Sequence, residues 1–213
     1  MISRKKLKRM EYLSFKNGIR LLADSIQLYK NRSYPSSYLL SILSMEELGR
    51  AFFIMDIAYY NWPKELPEKE KNEIFLLLYN HPHKQKSFVR WTMDPTDKKF
   101  KKVWNNSDLL DIKKQRATYV GLSKEKNKIN YKGRIYSPFQ VKRLQAFNSI
   151  TVVHSSLLEI VLGKIHSSFG FDDSNLERII TKSLYIKLKQ DWRYVDKSKQ
   201  KAISKLEQVV NIS

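Results

Sequence analysis

Apolar residues recur at intervals of three and four along most of the chain, the period of an α-helix that buries one face. Between about 10 and 31, Leu13, Ile19, Leu22, Ile26 and Tyr29 keep that spacing. The turn "NRSYPSS" then leads into a second helix over about 35–60, with Pro35 suited to its first turn. "NWPKELPEK" reads as a linker. A third helix begins near Pro67, carries "EIFLLLYNH", and kinks or restarts at Pro82, which has no N–H to donate. Residues 94–106 read as an exposed loop holding a short helical piece, and a further helix covers about 107–120. The stretch 122–136 breaks the period; Lys132-Gly133 offers a turn there, so a loop or small hairpin is expected. Ser137, Pro138 and Gln140 form an N-cap, first-turn proline and capping-box set, predicting a helix that runs to about 168 and stops at Gly170. Two more helices follow over about 174–189 and 197–210. The expectation is an all-α protein with one domain over 1–213: a motif-bearing region at 10–121, the hairpin segment, and additional C-terminal helices over 137–213.

Composition adds charge to this picture. The 213 residues carry a formal net charge of +19, with 42% hydrophobic residues. That field attracts polyanions such as RNA, DNA or an anionic membrane surface. The chain has no cysteine, which excludes disulfides, thiolate zinc sites and a cysteine nucleophile. "MISRKKLKRMEYLSF" is basic but is not followed by an apolar run of signal-peptide length. No segment reaches the ~18 uninterrupted apolar residues of a membrane span. A cytoplasmic chain without membrane contact is expected.

The most apolar helix contains "SMEELGRAFF", and its polar residues need an explanation. At 100° per residue Glu46 and Arg50 share a face with Leu39, Ile42 and Phe53, while Glu47 shares one with Leu40, Leu43, Ala51 and Ile54. An unpaired carboxylate among such neighbours costs several kcal/mol. Arg50 reaches Glu46 at i,i+4 or Glu47 at i,i+3, leaving the other carboxylate to find a partner elsewhere. Gly49 costs ~1 kcal/mol relative to alanine inside a helix, which points to a close approach of another backbone. Two readings stay open: a buried ion pair at a helix crossing, or a functional site.

Two further stretches carry candidate chemistry. "YNHPHKQKSF" places His81 and His83 around a proline, ahead of Lys84 and Gln85. A histidine there can act as acid or base beside a phosphodiester, with lysine steadying the phosphate; the plain alternative is a solvated helix break. No third ligand at familiar spacing supports zinc, so no metal and no cofactor is expected. "DIKKQRATYV" holds Lys113, Lys114, Gln115, Arg116 and Tyr119, which suit phosphate contact and base stacking, or else a solvated face with Tyr119 packed inward. His154 and His166 read as core or surface histidines. The serine-hydrolase, P-loop and dinucleotide motifs are absent, as are the Glu-x-x-His pairs of di-iron helical bundles.

Taken in order, "MEELGRAFF", "HPHKQ" and "KKQRATYV" resemble the AbiV family of bacterial abortive-infection proteins. The resemblance covers about 34–121: Glu46, Glu47, Leu48, Gly49 and Arg50 (arginine for the usual lysine), then His81, Lys84 and Gln85, then Lys114, Gln115, Tyr119 and Val120. Gly121 stands where an acidic residue is expected after the Tyr-Val pair. The resemblance implies a HEPN-like helical bundle and a role in phage defence, through arrest of translation or growth. It implies RNA or the translation machinery as target, a phage-encoded protein as activator, and a homodimer. It also implies that His81, Lys84, Lys114 and Tyr119 converge on Glu46, Glu47 and Arg50. As an enzyme the protein would be a metal-independent ribonuclease, with His81, Lys84, Glu46 and Glu47 as the catalytic set. Arg50, Gln85, Lys113, Lys114, Gln115, Arg116 and Tyr119 would then be the RNA- or phosphate-binding set. The HEPN ribonuclease signature, an arginine and a histidine four to six residues apart, is absent. The alternatives are a non-catalytic RNA- or ribosome-binding inhibitor and a protein-binding helical adaptor.

Overall fold

The computed structural model describes residues 3–57, 67–96, 98–105, 107–122, 124–125, 128–166 and 175–210. Its helices are α1 (Arg4–Lys30), α2 (Tyr34–Met55), α3 (Glu68–Leu77), α4 (His81–Thr92), α5 (Lys98–Asn105), α6 (Ser107–Arg116), α7 (Arg143–His166), α8 (Lys182–Asp191) and α9 (Lys197–Val210). The protein is all-α, as the periodicity predicts. The predicted end of the second helix, most of the linker after it and the Gly170 stop lie outside the described residues.

Helix α1 starts earlier than predicted because Ser3 caps it, its Oγ accepting from the Lys6 N–H at 3.3 Å. Its inward face is Leu7, Phe15, Gly18, Leu22 and Ile26; Leu13 lies off that face and is exposed, contrary to the predicted stripe. The turn into α2 is a full Schellman motif: Ser33 N–H donates to Leu28 O at 2.9 Å and Arg32 N–H to Tyr29 O at 3.0 Å. Arg32 holds the left-handed position at φ 62°, where a residue with a Cβ pays about 1 kcal/mol relative to glycine. Small residues let α1 and α2 approach closely. Ser25 and Ser37 each donate to the other's carbonyl at 2.7 and 2.9 Å, and Ser44 donates to Gly18 O at 2.7 Å.

Pro82 restarts the chain as predicted, at the first turn of α4, where Asn80 Oδ1 accepts from His83 N–H at 2.9 Å. Helix α4 lies beside α2 and runs in the same direction, since Glu46 meets His81 and Gln85 while Asp56 meets Trp91. Phe15, Leu48, Phe52 and Phe88 pack with Ile150, Val153, Leu157 and Val161 of α7 in the main core. By length and composition α7 could cross a membrane, but most of its apolar stretch is buried inside the bundle.

The short helical piece expected within 94–106 is present, and the helix start expected at Ser137 is corrected. Residues 98–105 form a helix of their own, with Phe100 stacked on Trp104 at 5.3 Å. Ser137 caps only a single 3₁₀ turn, Pro138–Gln140; Gln140 bonds Ile135 O instead of closing a capping box, and α7 begins later, at Arg143. The expected hairpin segment holds two short antiparallel pairs, Gly121–Leu122 with Ile135–Tyr136 and Lys124–Glu125 with Lys128–Ile129. At the C-terminus, Lys199 of α9 ties α7 and α4 together through Glu159 and Thr92 O.

His154 is a core histidine, fully buried on α7, with Nε2 2.9 Å from Leu188 O and Nδ1 without a hydrogen-bond partner among the described residues. Burial pushes its pKa below the ordinary 6.5, against the Leu188 carbonyl, which raises it. The folded form therefore resists protonation that the unfolded chain accepts. Stability from a neutral His154 is complete above pH 6.5 and is lost as pH falls below it. Wild type should melt at a lower temperature at pH 5.5 than at pH 7.5, and His154→Gln should reduce that difference, the share of His83 remaining. Equal slopes in a thermal-shift titration would remove His154 as the cause.

Candidate functional site

The site is built by one close crossing. A Cβ placed on Gly49 would lie 1.9 Å from the Lys84 carbonyl oxygen, so α2 and α4 touch backbone to backbone there. The close approach inferred from Gly49 is thus present, and Lys84 supplies it. One turn earlier on the same face of α2 sits Glu46, facing His81, Lys84 and Gln85. Those three fall at i, i+3 and i+4 on one face of α4, with Phe88 completing it at i+7.

Glu46 is almost wholly buried, and four side chains serve its carboxylate. His81 Nδ1 is 2.6 Å from Oε2, and Lys84 Nζ is 3.7 Å from the same oxygen. Gln85 Nε2 and Lys114 Nζ, the latter reaching in from α6, each donate to Oε1 at 2.9 Å. Glu47 instead pairs with Arg50 at 3.1 Å, and Arg50 Nε donates to Leu78 O at 3.2 Å, fixing the end of α3 against α2. The predicted division therefore holds: Arg50 neutralises one carboxylate, and lysines from other helices neutralise the other.

The two lysines respond oppositely to this environment. Burial pushes the Lys84 ammonium below the ordinary lysine range; Glu46 opposes that shift and Arg50 reinforces it. Burial also pulls Lys114 down, but hydrogen bonds to Asp111 and Glu46 outweigh it and hold Lys114 above the ordinary range. Glu46, His81 and Asp111 offer ligand atoms within 4.8 Å of one another, spacing a cation could use. Lys114 Nζ already sits 2.9 Å from Glu46 and 2.8 Å from Asp111, so an ammonium occupies the place between those carboxylates.

Placement sorts the remaining candidates. His81 keeps 48% of its side chain exposed, whereas Lys84, Gln85 and Lys114 are closed off by the network they complete. Gln85 and Lys114 therefore reach Glu46 instead of the solvent-side position that RNA contact needs. Tyr119 does not join the cluster: α6 ends at Arg116, and Tyr119, 68% exposed, lines a cavity with Ile112, Gln115, Arg116 and Tyr136. Arg116 stacks on the Tyr136 ring at 3.6 Å, Gln115 bonds Asp111 at 2.9 Å, and Lys113 faces solvent. His83 packs edge-on against Phe53 at 4.3 Å, and burial and Lys86 lower its pKa. Asp111 joins the site without being among the residues the sequence singles out, although its i,i+3 and i,i+4 spacing to Lys114 and Gln115 is a readable signal.

A family model described as AbiV matches residues 6–159, from α1 well into α7. The class is thus an AbiV-type HEPN helical protein, and the chain belongs to the AbiV family, one of abortive-infection defence. Helices α8 and α9 lie beyond the match. Comparison with curated proteins and with solved structures gave no match.

Proposed function

We propose that the protein is a cytoplasmic abortive-infection effector that arrests translation or growth by acting on RNA, with His81, oriented by Glu46, as its acid–base group. The supporting observation is that Glu46 holds His81 Nδ1 at 2.6 Å while the imidazole stays half exposed. An ionised carboxylate only accepts, so Nδ1 carries the hydrogen and Nε2 is left with its lone pair for a substrate. Nε2 takes the proton of a ribose 2′-hydroxyl, and the 2′-oxygen bonds phosphorus. The P–O5′ bond then breaks, and the leaving oxygen takes a proton from water. The products are a 2′,3′-cyclic phosphate and a 5′-hydroxyl end. Lys113 and Arg116, at the surface of α6, suit the backbone phosphates. Lacking the HEPN signature, such cleavage rests on the Glu46–His81 pair.

The second reading, inhibition by binding alone, is favoured by the burial of Lys84, Gln85 and Lys114 around one carboxylate, an arrangement that also suits a purely architectural network. Mapping of 5′ ends in a translating bacterial extract, with and without phage lysate, separates the two. Wild type should create 5′-hydroxyl ends, and folded His81→Ala should reduce them by roughly 10²–10⁴-fold. Translation that stops with every RNA intact would overturn cleavage and leave binding, whose affinity should fall steeply with salt. The proposed partners, a phage protein as activator and a second copy of the chain, need surface; Tyr131, Ile135, Phe139 and Leu144 expose apolar side chains that would suit such contacts.

A further inference from the structure

A cavity of about 650 Å³ lies where the α1–α2 turn, the first residue of α7 and the connection between α8 and α9 meet. It uses none of the residues around Glu46. Lys30, Arg32, Arg143 and Arg193 line it, against Asp191 as the acidic lining residue. Its aromatic wall is continuous: Tyr29 lies 5.5 Å from Tyr34 and 5.2 Å from Trp192, and Trp192 lies 5.2 Å from Tyr194. Phe147 backs Tyr194 at 4.9 Å.

The cations are set beside the rings. Arg143 Nε donates to the Tyr29 hydroxyl at 3.0 Å. Arg193 donates to the Tyr194 hydroxyl at 3.2 Å, its guanidinium 5.2 Å from that ring. Arg32 enters from a left-handed turn position where glycine is favoured, so the fold carries an arginine at the rim against local preference. Guanidinium forks match phosphate oxygens, and exposed aromatic faces stack bases. An acidic peptide would use the arginines and leave the aromatic wall without a partner; a nucleotide uses both, and the volume falls in the ordinary range of small-ligand sites.

We propose that this cavity binds one nucleotide unit, its phosphate on Arg143 and Arg193 and its base against Tyr194. Residues 190–194 lie beyond the AbiV match, so the site is completed by this chain's C-terminal extension. The proposal gives a binding site to the RNA that the reading above takes as target, and it stands without cleavage. The nucleotide can come from a single-stranded RNA or from a free mononucleotide.

The test uses full-length protein and two probes: a 5′-labelled 2′-O-methyl single-stranded RNA, which cannot be cleaved through its 2′-oxygen, and AMP. Anisotropy should show RNA binding that weakens roughly tenfold in Arg193→Ala and in Tyr194→Ala. Both altered side chains are exposed, and melting curves confirm folding. AMP binding with the same sensitivities, seen by calorimetry, assigns the site to a free nucleotide; RNA binding without AMP binding assigns it to a strand. Wild type binding neither probe, or both variants binding as tightly as wild type, overturns the proposal. Intact RNA in the extract assay would overturn cleavage and leave this site standing.

Discussion

Glu46→Gln should be among the most destabilising isosteric changes available in this protein, lowering stability by about 3–5 kcal/mol. The substitution keeps the shape and removes a carboxylate charge 3.7 Å from Lys84 and 2.9 Å from Lys114. Among the described residues Lys84 then keeps only the more distant charge of Glu47, and burial already disfavours its charged form. Lys114 keeps Asp111 at 2.8 Å, so the larger share of the loss falls on Lys84. At roughly 2–4 °C per kcal/mol for a chain of this size, the melting temperature should fall by about 6–20 °C. The charge argument has a specific signature. Adding Lys84→Met to Glu46→Gln removes the stranded ammonium, so the double variant should regain stability over the single one, a coupling that independent sites do not show. A double variant no more stable than Glu46→Gln would mean that lost hydrogen bonds, and not a stranded charge, carry the effect.

How far the sequence revealed this centre depends on which residue is asked about. Glu46, Glu47 and Gly49 were legible because each is costly in an apolar helix, and the cost could be met only by partners or a close contact. His81, Lys84 and Gln85 were legible as a group because their spacing places them on one helical face. Which carboxylate would be buried was not legible, since both faces of α2 are apolar; the Gly49 contact with α4 decides it, bringing that helix against the Glu46 side. Tyr119 lies outside the cluster because α6 ends at Arg116, short of the helix over about 107–120 that the sequence predicts. There the Thr118 hydroxyl donates to the Lys114 carbonyl at 2.9 Å, and the Ala117 N–H is shared between the Lys113 and Lys114 carbonyls. Ser137-Pro138 is a sound local start signal that a single 3₁₀ turn satisfies. The aromatic cavity gave no sign, because residues 29–34, Arg143 and 190–194 are each ordinary alone and acquire meaning only when the chain brings them together.

Gly49→Ala isolates the contact on which all of this rests. Alanine is the better helix former by ~1 kcal/mol, so local propensity predicts a gain. The tertiary contact predicts the reverse: the new Cβ meets the Lys84 carbonyl oxygen at 1.9 Å and the Phe88 nitrogen at 3.0 Å, backbone atoms that no rotamer change can move aside. Overpacking of a rigid contact costs about 1–3 kcal/mol and more where backbone must shift. The net expectation is a loss of roughly 2–3 kcal/mol, with α4 displaced from α2. Because Lys84 and Gln85 ride on α4, the displacement should also loosen their grip on Glu46, so hydrogen exchange at the α4 amides should speed up beyond the change in global stability. Gly163→Ala is the matched control: it lies inside α7 with nothing within 4 Å of a new Cβ, and it should stabilise by about 0.5–1 kcal/mol. If both substitutions stabilise, the α2–α4 crossing has room to spare and the geometry around Glu46 is not set by Gly49. If they part in sign, the glycine is what holds the His81, Lys84 and Gln85 face against the buried carboxylate.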